Sequence, residues 1–192
     1  MFNLKLIVSK LLVLVFLSYP LNIKADDIYD LEIEGISIGD SALDYFTLRE
    51  INQAKQDYYT NNTYTAISIA DKDFYKVYEE IQINYLTNDK NYIIQNISGA
   101  IEMDYDDCLD ELDKMITDFN KMFTNDTFYD KETYPHNNNS GDMITDAYWD
   151  LDSGSVLVQC YDRRNKTKFY DSMQVAIDTK EFFDFIVNKA YK

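Results

Sequence analysis

The chain has only two cysteines, and the residues around each one say what kind of element carries it. Cys108 shares a stripe with Leu112, Met115, Phe119 and Met122, at the three-and-four spacing of one helix face. Cys160 alternates with Val156 and Val158, the period of two that marks one face of a strand. A helix packed on a sheet brings both into one core, and their spacing fits no zinc motif. The expectation is a Cys108–Cys160 disulfide, with two buried free thiols as the alternative. Closing a loop of about 50 residues stabilises a fold by roughly 4 kcal/mol in the chain-entropy model.

Disulfides need an oxidising compartment, and the N-terminus points to one. Lys5 and Lys10 precede an apolar run, LLVLVFLSY from Leu11 to Tyr19, followed by PLNIKA. That is the order of a signal peptide, with small Ala25 before the expected cut. The run is about nine residues, whereas a membrane span takes about 20. Residues 1–25 are therefore read as a cleaved leader, and 26–192 as a periplasmic or secreted chain with no membrane attachment. The leader holds Lys5, Lys10 and Lys24 and no acid, so 18 basic residues fall to 15 against 34 acidic ones, and the net charge goes from −16 to −19. Such a balance disfavours nucleic acid and anionic membrane surfaces, and suits a basic protein or an envelope component as partner.

The pattern downstream is that of one compact α+β domain. LEIEGISIGDSALDYF opens with an alternating segment between Gly35 and Gly39, and Ser41 with Asp44 resembles a capping box for a helix running past Ile51. Strand-like segments follow at Tyr64 to Ala70, Phe74 to Leu86 and Tyr92 to Met103. A second helix runs from about Asp104 to Phe123, with Leu109, Leu112, Ile116, Phe119 and Phe123 on one face. Thr124 to Gly141 reads as a loop. Three further strands are expected at Met143 to Leu151, Ser155 to Asp162 and Lys168 to Ile177, then a last helix capped by Asp178. The expected fold is α+β: antiparallel sheet or sheets with helices packed on one face, arranged as two α-β-β-β repeats (31–103 and 104–178) plus the C-terminal helix. Aligning Tyr85 with Tyr161 also places Ile81 on Leu157, Ile97 on Met173 and Ile101 on Ile177, which makes an internal duplication a hypothesis.

GISIGDSALDYF resembles the strand-turn-helix entry of small bacterial envelope proteins, and the mature chain is similar to exported proteins of AT-rich marine bacteria that carry no assigned activity. The resemblance implies no reaction. The lipid-attachment cysteine of envelope-assembly lipoproteins is absent. Five Asn-x-Ser/Thr sequons, at Asn61, Asn96, Asn125, Asn138 and Asn165, are read as products of an Asn-rich composition.

The search for chemistry is short. The single histidine, His136, sits among asparagines, and neither a nucleophile elbow, a phosphate loop nor H-E-x-x-H is present. The acidic run Asp104, Asp106, Asp107, Asp110, Glu111 and Asp113 suits a helix N-terminus better than a cation site. DLDSGS from Asp150 begins like a calcium loop but lacks its closing glutamate, and reads as a hairpin turn. No catalytic residue, cofactor or metal ligand is assigned. Among 17 tyrosines, Tyr85, Tyr92, Tyr148 and Tyr161 are the candidates for an interface, because tyrosine joins apolar area to a polar tip. The expected function is an exported acidic, non-enzymatic binding or protein-interaction module; the alternative is a carboxylate-dependent hydrolase acting on glycans.

Overall fold

A computed structural model describes residues 27–70, 73–124, 126–136, 141–166 and 169–191. The expected leader, its cut after Ala25, and the sequons at Asn125 and Asn138 lie outside these residues. The fold is α+β, built on one eight-stranded antiparallel sheet with a separate two-stranded ribbon.

The ribbon comes first, as β1 (Glu32–Ile33) and β2 (Ile36–Ser37). Its turn uses Glu34 and Gly35, both at positive φ (55° and 76°), the primed geometry that a two-residue hairpin requires. The Glu34 carboxylate then accepts backbone N–H bonds from Lys76, Val77 and Tyr78 at 2.7, 2.6 and 2.9 Å, which pins the ribbon to the segment before β5 (Glu80–Leu86).

The long first helix expected from Ser41 is replaced by two short pieces. Ser41 caps a single 3-10 turn, Ala42–Asp44, and the chain then passes through extended Thr47 into α1 (Leu48–Gln53). Thr47 and Glu50 close the reciprocal capping box that Ser41 and Asp44 were expected to form. After α1 come β3 (Lys55–Gln56), β4 (Tyr64–Ala70), β5 and β6 (Ile94–Glu102). The long helix α2 (Tyr105–Met122) leads into β7 (Thr127–Pro135), β8 (Met143–Asp150), β9 (Gly154–Asp162), β10 (Ser172–Thr179) and α3 (Lys180–Asn188).

Strand β7 occupies the stretch read as a loop. It pairs with β8 at the sheet edge, with a bulge between Tyr129 and Glu132, and most of its residues are exposed. Seven of its nine residues are exposed and only Phe128 and Tyr134 are half-buried, so the period that identifies strands is missing there. The helix cap also moves. Thr179 Oγ1 accepts from Phe182 N at 3.2 Å, while Asp178 belongs to β10 and is buried beneath α3.

The strand order β3-β4-β5-β6-β10-β9-β8-β7 places two four-stranded meanders side by side, joined where β6 meets β10. At that seam Ile97 faces Ile177, Ile101 faces Met173, and Gly99 faces Val175. The alignment that set Tyr85 on Tyr161 holds across β6 and β10, whose matched residues all face the core. It slips by one residue in β5 and β9: Tyr85 points into the core and Tyr161 away from it. A one-residue slip exchanges the faces of a strand.

One face of the sheet is apolar and carries Ile67, Ile83, Ile97, Val158 and Trp149, covered by α2 and the N-terminal segment. Cys108 and Cys160 meet here in a disulfide with Cα atoms 5.8 Å apart, both fully buried. Trp149 is clasped between Phe119, edge-on at 5.1 Å, and Phe128, stacked at 5.2 Å, and its indole N–H donates to Asn120 Oδ1 at 2.7 Å. The C-terminal α3 lies against the opposite face at one end, where Phe182 and Phe185 pack on Tyr64.

Candidate functional site

The face opposite α2 is mostly polar, because the residues that alternate with the core isoleucines are Gln, Asn, Ser and Tyr. Helix α3 covers part of it. Beneath the helix runs a line of tied side chains: Tyr59 Oη donates to Asn84 Oδ1 (2.7 Å), Asn84 Nδ2 to Asn96 Oδ1 (2.6 Å), and Asn96 Nδ2 to Asp178 Oδ1 (2.5 Å). Ser155 Oγ reaches Asp178 Oδ2 at 3.5 Å. Desolvation lifts the Asp178 carboxyl from its ordinary 3.8 to about 6, against the opposing pull of those two donors. Asn96, one of the sequon asparagines, is 4% exposed and serves this line.

Beyond α3 the same face stays open and forms a groove of about 200 Å3. Its floor is Gln82, Ser98, Gln174 and Ser172, from strands β5, β6 and β10. The seam brings these together: Gln174 Nε2 donates to Ser98 Oγ at 3.0 Å, and Tyr161 Oη donates to Gln174 Oε1 at 3.2 Å and Gln159 Oε1 at 3.0 Å. Burial pushes the Tyr161 phenol up to about 12, with Arg163 acting in the opposite direction, so the hydroxyl stays protonated and a donor.

At one end of the groove stands Arg163, its guanidinium 4.4 Å above the Tyr161 ring and 5.6 Å from that of Phe169. Two buried aspartates hold the turn that presents it. Asp142 takes Arg163 Nη1 at 3.3 Å and the backbone N–H of Arg164 at 2.9 Å, and Asp171 takes the backbone N–H of Arg163 at 2.8 Å and Lys166 Nζ at 2.5 Å. Burial acts to raise the Asp171 carboxyl, but Lys166 and the Arg163 amide outweigh it and hold it below the usual range. Arg163 Nε is shut off from solvent and has no hydrogen-bond partner among the described residues. At the other end is Glu80, whose Oε1 accepts from Ser68 Oγ. His136 lines the groove half-buried, with its ring 6.1 Å from Tyr161, rather than standing out in a loop.

No family model, curated protein or solved structure matches this chain. The site is therefore read from its own chemistry.

The four tyrosines singled out in the sequence part company. Tyr85 is 2% exposed and packs against Tyr92 at 5.1 Å on the core face, so neither offers a flat ring to a partner. Tyr161 floors the groove. Tyr148 lies on the same face and stacks between Tyr129 (4.4 Å) and Phe183 of α3 (5.8 Å). Among the described residues no three His, Cys, Asp or Glu side chains converge to hold a metal ion, and the acidic run Asp104–Asp113 opens α2. DLDSGS is the β8–β9 hairpin, closed by Leu151 N–H to Gly154 O at 2.8 Å. Sequence reading passed over Gln82, Ser98, Gln174, Glu80 and Arg163. Their signal was the polar half of the strand alternation, which acquires meaning only once β6 and β10 are known to be neighbours.

Proposed function

We propose that this chain is an exported, acidic, non-enzymatic binding module, whose site is the half of the polar sheet face that α3 leaves open. The observation that carries the reading is the groove floor. Ser98, Gln174 and Tyr161 line an open hollow yet are tied to one another across three strands, with Gln159 holding the Tyr161 hydroxyl from beside it. A bed fixed before the ligand arrives loses little side-chain entropy on binding. The disulfide suits an oxidising compartment, and the leader-like N-terminus agrees with it. The resemblance to exported bacterial proteins without assigned activity points the same way, and the net charge favours a basic protein or envelope component where a larger surface is engaged.

A glycan hydrolase would set two carboxyl groups about 5 to 10 Å apart across a cleft. Glu80 is the one carboxylate among the described groove residues, and Ser68 already engages it. Binding is the better-supported reading. Amide chemical shifts followed by NMR during titration with a panel of oligosaccharides, peptides and basic proteins should move Gln82, Ser98 and Gln174 for at least one probe. A panel that leaves those three amides unmoved refutes the assignment of the site.

A further inference from the structure

The two ends of the groove carry opposite charges, and its middle carries none. Arg163 and Glu80 are the only Lys, Arg, Asp or Glu side chains among the described lining residues. Between them lie amide and hydroxyl groups that both donate and accept. We propose that the groove binds a short peptide by its two termini, with the α-carboxylate at Arg163, the α-ammonium at Glu80, and the peptide amides on Gln82, Ser98 and Gln174. This rests on the groove being the binding site.

Three features favour a zwitterion over other ligands. First, a carboxylate is matched by a guanidinium with donors to spare. The Arg163 side chain makes one hydrogen bond among the described residues, through Nη1 to Asp142, and the rings of Tyr161 and Phe169 fix its plane. Second, the chain is strongly acidic, with a net charge of −16, so a purely anionic ligand approaches against the field of the whole protein, whereas one of zero net charge does not. Third, the length fits. Strands β5, β6, β10 and β9 are consecutive, and their spacing of about 4.8 Å puts the outer two backbones roughly 14 Å apart. Glu80 leans toward Ser68 of β4, and Arg163, just past the end of β9, folds back over the Tyr161 ring, so the two charges lie at those limits rather than inside them. An extended chain advances roughly 3.3–3.6 Å per residue, and about three residues with a hydrogen bond at each end span the gap. A free amino acid is too short to meet both.

The test uses triglycine, N-acetyl-triglycine, triglycine amide and maltotriose, each titrated into the full chain and followed through the backbone amide shifts of Gln82, Ser98 and Gln174. Free triglycine should move these amides, and either cap should weaken binding by about tenfold, the loss of one charge-assisted contact. Glu80→Gln should erase the preference for the free amine while keeping that for the free acid, and Arg163→Gln should do the reverse. Arg163 also anchors Asp142, so if its variant fails to fold, Glu80→Gln and the capped peptides decide. Capped peptides binding as tightly as the free one overturn the proposal. Maltotriose alone moving the three amides overturns it too, while leaving the groove as a binding site. Silence from all four probes overturns it, and silence from the wider panel as well removes the groove.

Discussion

Replacing Asp178 with asparagine should make the protein more stable at neutral pH and should flatten its pH dependence. Asp178 is buried beneath α3, and its carboxyl is raised from 3.8 to about 6, chiefly by desolvation. A carboxyl raised in the folded state contributes stability that is complete below its unfolded value and disappears as pH climbs through its folded one. The window is therefore pH 4 to 6 and slightly above. At 1.36 kcal/mol per pH unit, ionising Asp178 in place costs on the order of 3 kcal/mol by pH 7. Asparagine is nearly isosteric and stays neutral, so it keeps an acceptor for Asn96 Nδ2 and offers Ser155 a donor. Asp178→Asn should thus gain up to about 3 kcal/mol at pH 7, or roughly 6–12 °C in Tm for a chain of this size, and almost nothing at pH 4. Urea unfolding of both proteins from pH 4 to 8, disulfide intact, measures the difference directly, since all other groups cancel. A difference that is constant with pH, or that grows toward acid, refutes the reasoning.

Alkylation in denaturant without reductant should leave the mass unchanged, whereas prior reduction should give two adducts; the Cys108→Ser and Cys160→Ser double variant should lose about 4 kcal/mol in urea titration. Asn120→Ala strips the acceptor from the buried indole of Trp149, the only tryptophan, and should cost roughly 1–3 kcal/mol by fluorescence-monitored unfolding. Gly154→Ala puts a methyl 1.9 Å from the carbonyl oxygen of Asp178 and 2.7 Å from Ile28 Cδ1, so it should destabilise by about 3 kcal/mol or more; a neutral result by calorimetry would mean that the strand backbone can shift there.

The elements legible in the sequence are those with one wet and one dry side. Helix α2 announced itself because Leu112 and Cys108 are buried while Asp106, Asp107 and Lys114 stay in water. The same contrast exposed β5, β6 and β8 to β10, and it placed Cys108 and Cys160 on elements that do meet. Where nearly every residue is exposed, as in β7, or where a turn interrupts the helix after Ser41, the periodicity has little to report. The site was harder to read because it is not local. Gln82, Ser98 and Gln174 become neighbours only through the pairing of β5 with β6 and of β6 with β10. Tyr85 and Tyr161 looked equivalent, yet a shift of one residue sent one to the core and the other to the groove.

The seam between β6 and β10 also governs the order in which the molecule can be made. Its pairs, such as Asn96 with Asp178 and Glu102 with Ser172, join residues from opposite halves, whereas each meander pairs strands that follow one another. Loop-closure entropy makes such distant pairings late and slow. As the chain emerges from synthesis, β3 to β6 can assemble first, leaving β6 as a bare edge until β10 arrives some seventy residues later. That edge presents Ile97 and Ile101 and unpaired backbone groups, the features that invite pairing with the wrong chain. Pairing of β10 thus closes that edge, and truncation before Ser172 should yield aggregate rather than a folded half.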